Sequence, residues 1–209
     1  MILDVSLAQI LHQFATLFAV VDPVGTIPVF IAVTAFIAPD RRRVVALRAV
    51  FFAMVMLIGF LVAGQPVLNA IDVNLTSFQI AGGIVLFLFA LTMIFGPSKP
   101  DKEVSEISRN DAEWAIYPLA IPSIASPGAM LAVVVLTDND IYLIGSQMVT
   151  AAITVLVLAI TLVLMLMALP VQRVIGKAGA SIISRVMGLI LAAVAVDNVV
   201  NAVIARFGL

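Results

Sequence analysis

"AVVDPVGTIPVF", Ala19–Phe30, lies inside an apolar stretch, Leu7–Phe36, that otherwise reads as a membrane-crossing helix. Within it, the run Asp22–Pro28 holds an acid, two prolines and a glycine. As one straight helix the whole stretch would be about 45 Å long, against a hydrocarbon core of about 30 Å. Proline lacks a donor and clashes with the carbonyl four residues earlier, and glycine admits dihedrals that other residues resist. The reading that decides the fold is therefore a spanning helix that breaks in its own interior, beside a carboxylate.

The rest of the chain supports a membrane setting. Of 209 residues, 63% are hydrophobic and 11% charged, against about 25% charged in soluble domains. Six apolar windows are long enough to span: Leu7–Phe36, Val44–Ala63, Ser77–Phe95, Ala115–Leu136, Tyr142–Leu169 and Ile182–Ala205. The expected fold is an all-α membrane protein of six transmembrane helices in a single domain, 1–209. The net charge of −1 offers no basic face for nucleic acid. Cysteine is absent, which removes thiolate chemistry and Cys-based metal sites. One histidine, His12, cannot build a metal cluster and reads as an interfacial residue. No cofactor is expected. The N-terminus lacks a basic region and a small-residue cleavage site, so no removable leader is expected.

Basic residues set an orientation. Arg41, Arg42, Arg43 and Arg48 flank the first loop, Lys99, Lys102 and Arg109 the third, and Arg173, Lys177 and Arg185 the fifth. Only Arg206 lies elsewhere. By the positive-inside rule those loops are cytoplasmic, and both termini of this multi-pass protein face outside the cytoplasmic (inner) membrane.

Three spans per half means that the halves, about 1–97 and 114–209 around a loop at 98–113, enter the membrane in opposite senses. They are expected to form two inverted three-helix repeats. At an offset of 103, Gly25 meets Gly128 and Thr34 meets Thr137; at 105, Gly83 meets Gly188, Leu86 meets Leu191 and Ala90 meets Ala195. The first helix of each half carries an interruption, "DPVGTIP" at 22–28 and "PSIASPG" at 122–128.

In lipid, freed backbone groups are tolerated only against protein or a wet cavity. Paired interruptions in two halves therefore point to a transporter site near the midplane. The candidate substrate-binding residues are Asp22, Pro23, Gly25, Thr26 and Pro28 in the first break, and Pro122, Ala125, Ser126, Pro127, Gly128 and Ala129 in the second. Helices restarting at Thr26–Pro28 and at Gly128–Ala129 are expected to present unpaired N–H groups and a positive dipole end, which suit a carboxylate. Asp22 is either an ammonium- or proton-binding group or the cap of the restarting helix. Gly82 and Gly83 read first as close-packing sites, since small residues let membrane helices approach, and are kept as candidate gating positions at the cavity edge. Asp197 and Asn198 are candidate coupling residues, or else face the wet outer end of the sixth span. An aspartic dyad of Asp22 and Asp197 would need the two within a few ångström; with no nucleophile and base set, an enzyme is not expected.

These stretches resemble the MarC/SnatA family of bacterial and archaeal membrane proteins. The first-span signature Asp-Pro-x-Gly-x-x-Pro-x-Phe appears here as Asp22, Pro23, Gly25, Pro28 and Phe30, and "FQIAGGIVLFLFALTMIFG", "YPLAIPSIASPGAM" and "VMGLILAAVAVDNVV" are similar to its third, fourth and sixth spans. Two positions depart from the pattern: Ser126 stands where the family usually has glycine, and Asp197 near a position that is usually a neutral amide. The resemblance implies six spans in two inverted repeats and transport of small neutral amino acids such as glycine and alanine. The expected partners are thus the lipid bilayer and a small amino-acid substrate, with H+ or Na+ as candidate coupling ions. A channel or exporter for another small polar solute is the alternative.

Overall fold

The computed structural model describes residues 6–35, 37–95, 115–137 and 144–208. The loop at 98–113, with Lys99, Lys102 and Arg109, lies outside the described residues, as does the start of the fifth window before Ile144.

Helix α1 (Leu7–Val21) begins with a reciprocal cap. The Ser6 hydroxyl accepts the Gln9 N–H, and the Gln9 side chain accepts the Ser6 N–H at 2.9 Å. Helix α2 (Thr26–Val33) continues the first span after the break. Helix α3 (Pro39–Ala70) starts on a proline, whose missing donor costs nothing at a first helical position. It overruns the expected 44–63 window at both ends. Helix α4 (Leu75–Phe95) follows. The fourth span is bent: a segment Ala115–Ile124 meets α5 (Pro127–Val135) at 54°. Tyr117 and Ile121 are extended, as residues before prolines tend to be, and each is followed by a cis proline, Pro118 and Pro122.

Helix α6 (Ile144–Leu166) leads almost directly into α7 (Ala168–Phe207). The loop expected between the last two windows is thus helical. It turns at Gly176, whose φ of 69° and ψ of 170° suit glycine. Five helices and the bent pair are long and apolar enough to make six crossings, and the described residues contain no strand.

The broken first span is well enclosed, and most residues of the bent fourth span are buried as well. The apolar window of the first span is 72% buried, against 22% for α4 and 39% for α6. Its interrupted backbone is therefore shielded from lipid by the other helices, as hydrocarbon requires.

Helices α4 and α7 approach closely, and their glycines show why. A Cβ on Gly83 would lie 3.1 Å from the Ala195 carbonyl oxygen and 2.5 Å from Val199 Cγ2. A Cβ on Gly188 would lie 3.2 Å from the Ala90 carbonyl oxygen and 2.9 Å from Met93 Cβ. Gly83 with Ala195 and Gly188 with Ala90 are thus the same contact made twice, with the helices exchanged. Hydrocarbon gives no hydrophobic drive between helices, so such close approach is what holds the pair. A second duplicated device closes the interrupted spans: the Thr34 hydroxyl donates to Phe30 O at 2.7 Å and the Thr137 hydroxyl to Val133 O at 2.6 Å.

Candidate functional site at two helix breaks

Asp22 ends α1 in the left-handed region (φ 50°, ψ 66°), where aspartate is tolerated better than most residues. Its N–H still closes the last turn onto Phe18 O at 3.0 Å. Its carboxylate then reaches forward and accepts the Gly25 N–H at 2.9 Å. The Asp22 carbonyl oxygen accepts both the N–H of Thr26 (3.1 Å) and its hydroxyl (3.0 Å). One residue thereby stops α1 and starts α2, and it does so with 1% of its surface exposed.

This corrects one expectation. The N-terminus of α2 does not present unpaired donors: Gly25 bonds the Asp22 carboxylate, Thr26 bonds Asp22 O, Ile27 bonds Val24 O, and Pro28 has no N–H.

At the second break Ser126 is the N-cap of α5. Its hydroxyl oxygen accepts the Ala129 N–H at 3.1 Å and its carbonyl accepts the Met130 N–H at 3.0 Å. Pro127 occupies the first helical position. That leaves Gly128, whose N–H has no partner among the described residues. Leu86 of α4 packs flush on it, 2.6 Å from where a Cβ would stand.

The two breaks meet. A helix leaves its last four carbonyls unsatisfied, and the interruption after Val21 takes the usual partner away from Val20 O. The Ser126 hydroxyl supplies a replacement across 3.1 Å. Thr26 Oγ1 and Ser123 Oγ stand 3.5 Å apart, at the outer limit of a hydrogen bond. Thr26, Ser123 and Ser126 are fully buried, as are Ala125 and Ala129, and Pro23, Gly25 and Gly128 are buried with them. Pro28 and Pro122 are half-buried, and Pro127 is exposed.

The other singled-out residues fall elsewhere. Gly82 lies against Leu131 of α5 and Gly83 against α7, both as packing positions. Asn198 is half-buried on α7. Asp197 is exposed there, its carboxylate accepting from Asn201 Nδ2 at 3.1 Å, so Asp22 and Asp197 form no dyad.

Sequence reasoning passed over Ser123, although it lies inside "PSIASPG", and it also passed over a polar group between α1 and α6. Thr150 Oγ1 lies 3.1 Å from Gln13 Oε1, 3.3 Å from Leu136 O and 3.2 Å from Ser146 O. Thr16, one turn along from Gln13, is 5% exposed, and its hydroxyl has no partner among the described residues. The spacing of Gln13, Thr16 and Val20 on one helical face was the available signal.

Fold and site together define a multi-pass helical membrane protein whose two interrupted spans are joined at their interruptions. The chain belongs to the MarC family: the model for MarC family integral membrane proteins matches residues 7–207. A UPF0056 membrane protein of Methanocaldococcus jannaschii is 35% identical over 194 residues, covering 91% of this chain and 93% of its own. One from Archaeoglobus fulgidus is 33% identical, over 90% of this chain and 88% of its own. The UPF0056 membrane protein YvbG of Bacillus subtilis is 30% identical, over 91% of this chain and 92% of its own. No solved structure matches the chain.

Proposed function

We propose that this protein is a secondary transporter that moves a small neutral amino acid, of the size of glycine or alanine, across the cytoplasmic membrane by alternating access. The observation that carries the reading is the meeting of the two breaks, with Ser126 on Val20 O and Thr26 beside Ser123 in a buried polar centre. Broken spans of two halves that meet inside a bundle are the usual setting of a transporter site.

The reading takes the halves as inverted three-helix repeats, about 1–97 and 114–209, with both termini outside. The duplicated Gly83–Ala195 and Gly188–Ala90 contacts and the duplicated Thr34 and Thr137 caps support it. In this account the substrate carboxylate meets the Gly128 N–H at the start of α5, and its ammonium meets Asp22. The buried residues of the breaks now fill the space a substrate needs. Binding therefore requires the Ser126–Val20 and Thr26–Ser123 contacts to open, which is the motion that rocking one half against the other provides. The small side chains at the breaks fit a small cargo. The chain acts without a cofactor or catalytic step, in a lipid bilayer, with H+ or Na+ as coupling ion.

The test is a thermal-shift panel of amino acids on purified wild type and Asp22→Asn. Stabilisation by glycine, alanine or serine that disappears in Asp22→Asn is the expected result. Folded wild type that no amino acid stabilises would overturn the substrate assignment. Substrate counterflow in proteoliposomes then separates alternating access from a channel, which shows none.

A further inference from the structure

Helix α7 carries an acid on the wrong side for a site at the breaks. Its inward face, with Leu191, Ala195 and Ala202 buried, packs on α4. The opposite face exposes Ala193, Asp197, Asn201 and Ala205, which recur every four residues and form one ridge.

Two arginines bracket this stretch of α7. Arg185 donates to Ile94 O in the last turn of α4, and so marks the level at which that helix ends. Arg206 lies in the last turn of α7. They are about 32 Å apart along the helix, close to the thickness of the hydrocarbon core. Asp197 is about 18 Å from the level of Arg185 and about 14 Å from that of Arg206, which puts it near mid-depth on a lipid-facing surface. Intramembrane acids face bundle interiors or water because hydrocarbon offers them no partner. Thr92, also exposed, meets its need on its own helix by donating to Phe89 O at 2.7 Å. A carboxylate only accepts, and among the described residues Asn201 Nδ2 is its donor.

We propose that the Ala193–Asp197–Asn201–Ala205 ridge of α7 is the contact face between two copies of this chain. The patch is self-complementary, which is what a two-fold contact needs. Each Asn201 amide has a second hydrogen to give, and each Asp197 carboxylate has further lone pairs to receive it. Copies with the same orientation in a bilayer can be related only by an axis along its normal, so the two ridges meet at equal depth. Ala193 and Ala205 leave the backbones room to approach to the distance these side chains need.

The absence of cysteine from the sequence makes the test clean. Single Ala193→Cys and Ala205→Cys variants are oxidised in native membranes, beside Val62→Cys, which is also exposed, on α3. The ridge variants should cross-link to a species of twice the monomer mass, and Val62→Cys should not. Adding Asp197→Leu and Asn201→Leu to Ala193→Cys should lower the cross-linked fraction about tenfold, the value of one interhelical hydrogen-bonded pair. Ridge variants that cross-link no more than Val62→Cys would overturn the proposal. So would cross-linking that survives the leucine substitutions, or adducts only with another protein. The single-cysteine comparison stands even if the leucine variant fails to fold.

Discussion

The Ser126 hydroxyl donates to Val20 O across 3.1 Å while its oxygen accepts the Ala129 N–H at the same distance. One side chain therefore begins a helix in the second half of the chain and completes the end of a helix in the first.

Removing that hydroxyl should cost twice. Ser126→Ala loses the cap, about 1 kcal/mol, and leaves the buried Val20 carbonyl unsatisfied, about 1–3 kcal/mol more. Ser126→Gly should lose less because glycine is an acceptable cap. Chemical denaturation in a mild detergent should rank the proteins wild type, Ser126→Gly, Ser126→Ala. Equal stability of all three would mean that the tie to Val20 O carries no weight.

Asp22 combines a left-handed backbone with a capping carboxylate, so its replacements separate fold from function. An asparagine side chain keeps an acceptor and tolerates the same dihedrals, so Asp22→Asn should hold its melting temperature within a few degrees of wild type. Asp22→Ala loses the cap, about 1 kcal/mol, and strains the left-handed position by a further 1–2 kcal/mol or so. A melting temperature for Asp22→Ala equal to that of Asp22→Asn would contradict the geometry.

Much of this was legible in the sequence because lipid makes strict demands. Five long apolar helices and one bent pair fall in the windows read from apolar length, and the break at Asp22 follows from Pro23 and Gly25. Gly83 and Gly188 were visible as matched positions 105 residues apart. What the sequence could not show is where freed backbone groups go. Periodicity does not say that Val20 O turns to Ser126, or that the Asp22 carboxylate uses up the Gly25 N–H, since both are contacts chosen by chain reversal. The outward face of Asp197 was equally hidden, because α7 is apolar on both of its faces around that residue. The helical link from α6 into α7 was masked by its own composition, with Arg173 and Lys177 reading as a loop.

The glycines differ in what stands opposite them, and substitution should reveal it. A Cβ on Gly188 meets the Met93 Cβ and the Ala90 backbone, neither of which can swing away. A Cβ on Gly82 meets the end of the Leu131 side chain, which can change rotamer. Gly188→Ala should therefore cost about 1–3 kcal/mol, in the range of overpacked cores, and Gly82→Ala clearly less. Thermal unfolding of the two single variants checks the order; a more damaging Gly82→Ala would mean that Leu131 is wedged in place.

Two buried threonines, Thr16 and Thr150, should respond to the same substitution with opposite signs. Thr16 has a buried hydroxyl with no partner among the described residues, a defect worth about 1–3 kcal/mol, and valine fills the same space without it. Thr16→Val should raise the melting temperature. Thr150 has three oxygens within reach of its one hydrogen, from Gln13, Leu136 and Ser146. Thr150→Val leaves Gln13 Oε1 and Leu136 O facing a methyl group, so it should lower the melting temperature. Gln13→Leu should be milder than Thr150→Val, because the Thr150 hydroxyl can turn to Leu136 O or Ser146 O. Thermal unfolding of these three variants in one detergent decides the matter. A fall in Thr16→Val would show that its hydroxyl is bonded in the working protein, through a water or a bound solute. The polar group between α1 and α6 would then be an occupied site and not a gap in an apolar contact.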